Sequence, residues 1–365
     1  MADDSSADSN PELTEGPALE EVFFRVLDAA LNRASEGLRV VEDYARMVLE
    51  DRYLTGQFKR LRHDLVGLAQ AYDPTRLIAA RDTAHDVGTG IEIDSEYQRP
   101  DGARLIQANL ARAQQALRTI EEYSKSFSAA SAAGFERLRY DCYQLEKALL
   151  TTELSRQNLA DARLCVLTDG RKSSEEFADF IAQLVAGGVD LIQLRDKSLD
   201  DRQLLQRGEV LGQLVAGTHV RWVMNDRADL AVAAKAHGVH LGQTDLPVRD
   251  ARRIVGPHRL IGVSSHDIQQ ARQAVLDGAN YIGVGPVFDS QTKAFSALAG
   301  LDVVRQVADE IALPAFAIGG IDDTNIELVC EAGMPRVAVS RAVCTAVDPQ
   351  QAVRAMKRVL RPSDR

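Results

Sequence analysis

The sequence predicts an α/β chain in which a C-terminal (β/α)8 TIM barrel follows an all-α domain built from a duplicated helical hairpin. Two observations carry this. From Leu164 onward, eight short apolar runs alternate with amphipathic stretches, the order that right-handed crossovers turn into a parallel sheet. Between Glu21 and Leu154 the pattern is helical and contains an internal repeat. Eight units in roughly 200 residues suit a closed barrel near its minimum size, with an open parallel sheet as the alternative.

Residues 1–20 are acidic and small, with no basic residue before Arg25 and no apolar signal-peptide core, which predicts a disordered acidic tail. The helical domain spans 21–154. Within it Arg33–Arg46 aligns with Arg112–Lys125, and Phe58–Asp64 with Phe135–Asp141, so four main helices related by a pseudo-twofold are expected, joined by a loop around Arg81–Asp94. Leu38 and Val41, matched by Leu117 and Ile120, stand at helical spacing and give the faces to be buried. The repeated Arg33/Arg112, Arg39/Arg118 and Glu42/Glu121 read as i, i+3 surface pairs, or else as the lining of a pocket with His63, Arg81, Asp82, His85 and Asp86. Thr151–Ala162 is polar and reads as a short linker, with modest packing between the domains. The barrel then spans 155–365.

Its strands begin near Leu164, Val189, Trp222, Val239, Leu260, Tyr281, Ala315 and Val337, and helices such as Glu175–Val185, Gln203–Val215 and Leu301–Ile311 lie between them. Strand alternation aims Gln193, Arg195 and Lys197 to one side. Cations at the carboxyl end of a parallel strand suit a phosphate or pyrophosphate; a solvated charge run is the plainer reading. Asn225 and Asp226 follow the third strand, and Gln243 and Asp245 the fourth. Two aspartates completed by phosphate oxygens and water are what Mg²⁺ prefers, although an ion-pair ring closing the mouth would use the same residues. Ser264, Ser265 and His266 follow the fifth strand. After the sixth, Ser290, Thr292 and Lys293 form a polar anion-binding loop or an ordinary surface connection. Gly319 and Gly320 end strand seven, and Ser340 and Arg341 end strand eight, at the recurrent phosphate site of this architecture.

From about Leu164 to the C-terminus the chain resembles thiamine-phosphate synthase, through Gln193-Leu-Arg-Asp-Lys197, Asn225-Asp226-Arg227, Gly238–Asp245, Gly262–His266, Gly283–Phe288, Thr292-Lys293, Ile318–Ile321 and Val339-Ser340. The resemblance implies a transferase that joins aminomethylpyrimidine diphosphate to thiazole phosphate, giving thiamine monophosphate and pyrophosphate. It implies that Gln193, Arg195, Lys197, Asn225 and Ser264 contact the pyrimidine diphosphate, and that Asp226 and Asp245 hold Mg²⁺. It also implies that Ser290, Thr292, Gly320 and Ser340 bind thiazole phosphate while Lys293 reaches the diphosphate. Arg195, Lys197 and Lys293 are then the catalytic cations in a dissociative, Mg²⁺-assisted departure of pyrophosphate. One departure from the family pattern is visible: its usual Thr-x-Thr-Lys reads Ser290-Gln-Thr-Lys293 here, which keeps the hydroxyl.

The helical region resembles an N-terminal domain fused to some thiamine-phosphate synthases and proposed to phosphorylate hydroxymethylpyrimidine phosphate. It contains no Walker A motif, and a structural module that dimerises or stiffens the barrel is the alternative. A net charge of −10 argues against nucleic acid as a partner, and no apolar run approaches a membrane span. Four cysteines without metal spacing suit a reducing cytoplasm. Small phosphorylated molecules are therefore the expected partners, with a homo-oligomer allowed. Two rival readings remain open: a non-catalytic thiazole-phosphate-binding regulator, and a sugar-phosphate isomerase or epimerase using His240 and His266 as acid and base.

Overall fold

The structure, a computed structural model, describes residues 19–87, 101–289 and 298–360. The chain divides into two compact units, Met1–Val41 with Lys59–Tyr143, and Glu42–Phe58 with Gln144–Arg365. The expected acidic tail up to residue 18 and the second half of the loop expected around Arg81–Asp94 lie outside the described residues.

Among the described residues five helices precede the first strand: α1 (Leu19–Met47), α2 (Arg52–Ala69), α3 (Pro74–Ala79), α4 (Gly102–Ser124) and α5 (Ala129–Asn158). The four long ones carry the duplicated segments, with Arg33–Arg46 in α1 and Phe58–Asp64 in α2, and their repeats in α4 and α5. In the first unit Leu38, Val41, Leu117 and Ile120 are fully buried, as their spacing predicts. An aromatic cluster extends that core: Tyr72 meets Phe24 edge-on at 6.3 Å, stacks with Phe135 at 6.4 Å, and donates from its hydroxyl to Ser124 Oγ at 2.5 Å. Glu121 is buried and accepts hydrogen bonds from the half-exposed Arg118 at 2.5 Å and from the buried Arg139 at 2.9 Å, so the expected i, i+3 pair forms here but its carboxylate is turned inward onto a second arginine. Arg81 makes a bidentate pair with Asp28 at 2.7 and 2.8 Å, and His85 contacts Asp82 at 3.0 Å.

The expected linker is not a linker. Helix α5 continues through it to Asn158, because Leu145, Ala148, Leu149, Thr152, Ser155 and Leu159 repeat at helical spacing and are all buried. Its polar composition hid that face. Leu159 joins the floor of the barrel, and Ser155 Oγ accepts from Asn280 at 3.1 Å. Asp51, fully buried ahead of α2, accepts from the backbone N–H groups of Leu54 at 2.7 Å and Ala312 at 2.8 Å.

The remainder is eight βα units: β1 (Leu164–Thr168), α6 (Ser174–Gly187), β2 (Leu191–Leu194), α7 (Asp201–Val215), β3 (Arg221–Asn225), α8 (Ala228–Ala233), β4 (Gly238–Leu241), α9 (Val248–Val255), β5 (Leu260–Ser265), α10 (Ile268–Asp277), β6 (Tyr281–Val284), α11 (Gly300–Glu310), β7 (Ala315–Ile318), α12 (Ile326–Glu331), β8 (Val337–Val339), α13 (Arg341–Cys344) and α14 (Pro349–Val359). The strands form a closed barrel in chain order, every pair parallel, with β1 and β8 closing the ring through Val166 opposite Val339. The open-sheet alternative is thereby removed. Alternate residues fill the interior in layers. Cys165, Leu191, Val223, Leu260, Tyr281, Phe316 and Ala338 make the floor, and Gln193, Arg195, Asn225, Ser264 and Ser340, two or four positions further along their strands, line the cavity above it.

Candidate active site

At the carboxyl ends of the strands lies one cavity of about 740 Å³, lined by Gln193, Arg195, Lys197, Asn225, Asp226, Asp245, Ser264, Gly320 and Ser340. Every described residue that the resemblance assigned to the barrel site therefore lines the same space. Ser290, Thr292 and Lys293 lie outside the described residues.

Strand β2 ends at Leu194, yet Arg195 N–H still donates to Thr168 O at 2.8 Å, which extends the ladder far enough to keep Arg195 on the side of Gln193. Asp196 points the other way and accepts from Gly170 N at 2.9 Å, fixing the turn that presents Lys197. Gln193 is buried and donates its amide to Asn225 Oδ1 at 2.7 Å. That bond leaves the Asn225 amide nitrogen and the Gln193 carbonyl oriented as a pair of recognition groups.

Asp226 has φ +60, an uncommon conformation for a non-glycine residue, held by its N–H donating to His240 O at 2.8 Å and by Arg227 N–H donating to Asn225 O at 2.7 Å. Asp245 is oriented by Gly242 N–H at 2.6 Å. The Asp226 carboxyl is in hydrogen-bond contact with Asp245 and is pushed up to about 6, by burial first and then by that neighbour, against the pull of Lys197 and Arg195. A raised carboxyl held against a second one fits a hard cation that would take the place of its proton. Among the described residues no group of three or more His, Cys, Asp or Glu side chains could hold a metal. Arg227 turns outward, paired with Asp229 at 2.7 Å and with Asp201.

His240 is the residue whose role the sequence left most open. Its ring is buried between Tyr281 Oη at 3.1 Å and Ser264 Oγ at 3.0 Å, and desolvation holds it down at about 4. A Cβ at position 262 would lie 2.1 Å from the Tyr281 ring, so Gly262 makes room for this pair. A neutral imidazole with both nitrogens engaged orients Ser264 and is a poor acid or base at neutral pH. The isomerase or epimerase reading loses half of its catalytic pair.

On the opposite side, Gly320 has φ +64 and a Cβ there would meet Asp289 O at 2.4 Å, which explains glycine at this turn. Asn325, passed over in the sequence, clamps it: the carboxamide donates to Gly320 O at 2.8 Å and accepts from Asp322 N at 3.0 Å.

Closed parallel strands with a polar cavity at their carboxyl ends define a (β/α)8-barrel enzyme. A family model described as thiamine monophosphate synthase matches residues 164–343, and one described as the ThiD2 family matches residues 25–148. A thiamine-phosphate synthase of Rhodopirellula baltica is 44% identical over 352 residues, covering 94% of each chain, and one of Synechocystis sp. is 43% identical over 90% of this chain and 93% of its own. The solved thiamine phosphate pyrophosphorylase from Pyrococcus furiosus matches with a TM-score of 0.51 at 32% identity, over 56% of this chain and 96% of that one. The chain belongs to the thiamine-phosphate synthase family, with a ThiD2-type helical region fused ahead of the barrel, and is a transferase.

Proposed function

We propose that the barrel, residues 155–365, condenses aminomethylpyrimidine diphosphate with thiazole phosphate to give thiamine monophosphate and pyrophosphate. What supports this reading is the convergence of Gln193, Arg195, Lys197, Asn225, Asp226, Asp245, Ser264, Gly320 and Ser340 on one cavity. The methylene C–O bond of the pyrimidine breaks with its electron pair leaving on pyrophosphate, and the thiazole nitrogen then bonds to the methylene carbon. Arg195 and Lys197, joined by Lys293, stabilise the charge that grows on the departing oxygens. Gln193, Asn225 and Ser264 hold the pyrimidine ring in line, which lowers the barrier by restricting its approach. Mg²⁺ held by Asp226 and Asp245 would supply further charge neutralisation to the diphosphate. Among the described residues no helix is long and apolar enough to cross a membrane, and all four cysteines are free, which supports a cytoplasmic setting.

Residues 21–154 act, in the same reading, as a separate module that phosphorylates hydroxymethylpyrimidine phosphate; the ThiD2 family match supports this. A purely structural role is its rival. Incubating the full chain with both precursors and Mg²⁺ and measuring pyrophosphate tests the barrel; no release above background ends that proposal. Replacing the pyrimidine diphosphate by its monophosphate plus ATP tests the helical module, and absence of product in that arm alone favours the structural role.

A further inference from the structure

The two sides of the cavity differ in charge. Beside β2 to β4, the carboxylates Asp226 and Asp245 face Arg195 and Lys197. Beside β7 and β8, the described lining carries Asp289, Asp322 and Asp323 around Gly319, Gly320 and Ser340. A phosphate dianion seated on those glycines would share that side of the cavity with three carboxylates. Asp322 is partly quenched, since its Oδ1 accepts from Thr324 N at 3.0 Å and Thr324 Oγ1 at 2.6 Å, but Asp289 and Asp323 are solvent-exposed.

Among the described lining residues on that side, the one Lys or Arg is Arg341. Its Cα is fixed at the start of α13, where its carbonyl oxygen accepts from Thr345 N at 3.1 Å and Thr345 Oγ1 at 2.9 Å, and where Ser340 O accepts from Cys344 N at 2.8 Å. The guanidinium root is therefore rigidly placed beside Ser340, and the residue is exposed at the rim of the cavity that it lines. Guanidinium binds phosphate through two parallel N–H donors, a geometry that ammonium lacks.

We propose that Arg341 is the specificity residue for the phosphoryl group of the second substrate: it grips the phosphate of the thiazole partner at the Gly319–Gly320 and Ser340 turn and offsets the carboxylates there. This rests on the function proposed above, and the test separates the two. Wild type, Arg341→Ala and Arg341→Lys are compared for steady-state constants with each precursor, and for calorimetric binding of thiazole phosphate and of its unphosphorylated alcohol. Trp222 fluorescence verifies folding. The expected result is a KM for thiazole phosphate raised roughly tenfold to a hundredfold in Arg341→Ala, as for a lost charge-assisted hydrogen bond. Arg341→Lys falls between, the KM for the pyrimidine diphosphate is unchanged, and binding of the alcohol is the same in all three proteins. Equal thiazole phosphate affinity in wild type and Arg341→Ala overturns the inference while leaving the transferase intact. A wild type that neither binds thiazole phosphate nor forms product overturns the proposed function instead.

Discussion

Tyr281 Oη lies 3.1 Å from His240 Nδ1, and the other face of that imidazole meets Ser264 Oγ at 3.0 Å, so a floor residue of the barrel is wired to a residue of its cavity. Removing the first link should loosen the last. Tyr281→Phe keeps the ring and the fold but frees His240 to rotate; the KM for the pyrimidine diphosphate is expected to rise several-fold, with that for thiazole phosphate unchanged. Equal increases for both substrates would place the effect elsewhere.

His240 also predicts how stability varies with pH. Its folded value near 4 lies below the ordinary 6.5, so on acidification the unfolded chain takes up a proton that the native ring refuses. Stability from this group is complete above pH ~6.5 and falls as pH drops toward ~4, by roughly 3 kcal/mol in all. Denaturant unfolding followed by Trp222, the single tryptophan and fully buried on β3, reads this directly. The same titration on His240→Gln should be flatter across that window; an identical slope would rule His240 out as the source.

Asp226 works in the opposite direction. Its carboxyl is raised by burial and by Asp245, so the metal-free native state binds more protons than the unfolded chain between the ordinary carboxylate range and about 6, and stability falls as pH rises through that interval. Asp226→Asn is expected to raise the melting temperature of metal-free protein at pH 7.5 while costing at least ~100-fold in pyrophosphate release with Mg²⁺. A variant that is both less stable and fully active would contradict the assignment.

Gly320→Ala forces a side chain into positive φ and against the Asp289 carbonyl. Destabilisation of about 1–3 kcal/mol and a raised KM for thiazole phosphate are expected. Calorimetry and kinetics on the purified variant check both.

Asp51→Ala removes a cap from α2 and a bond to the Ala312 amide together. A loss of about 1–3 kcal/mol is expected in unfolding monitored by Trp222, although residue 51 precedes the first strand by more than a hundred positions.

The barrel was legible because each strand end pairs apolar periodicity with polar punctuation: β2 closes on Gln193 and Arg195, β4 precedes Asp245, and β7 closes on Gly319 and Gly320. Repeated segments around Leu38 and Leu117 made the helical duplication readable in the same way. Three things were not readable. Thr152 and Ser155 look solvent-facing in a list of polar letters, and only the helical period of their apolar neighbours shows the buried face. His240 acquires its role from Tyr281, forty-one positions away and on a different strand. Arg139 reaches Glu121 across a helix boundary, where no local spacing rule applies.

The continuation of α5 into the barrel floor bears on where this polypeptide can be cut. A fragment beginning at Leu164, the first residue of the synthase match, would keep every strand yet lose Leu159 from beneath the ring and leave the Asn280 amide without Ser155. Such a fragment opens a greasy hole at its base, so an excised catalytic half needs the final turns of that helix as its stopper.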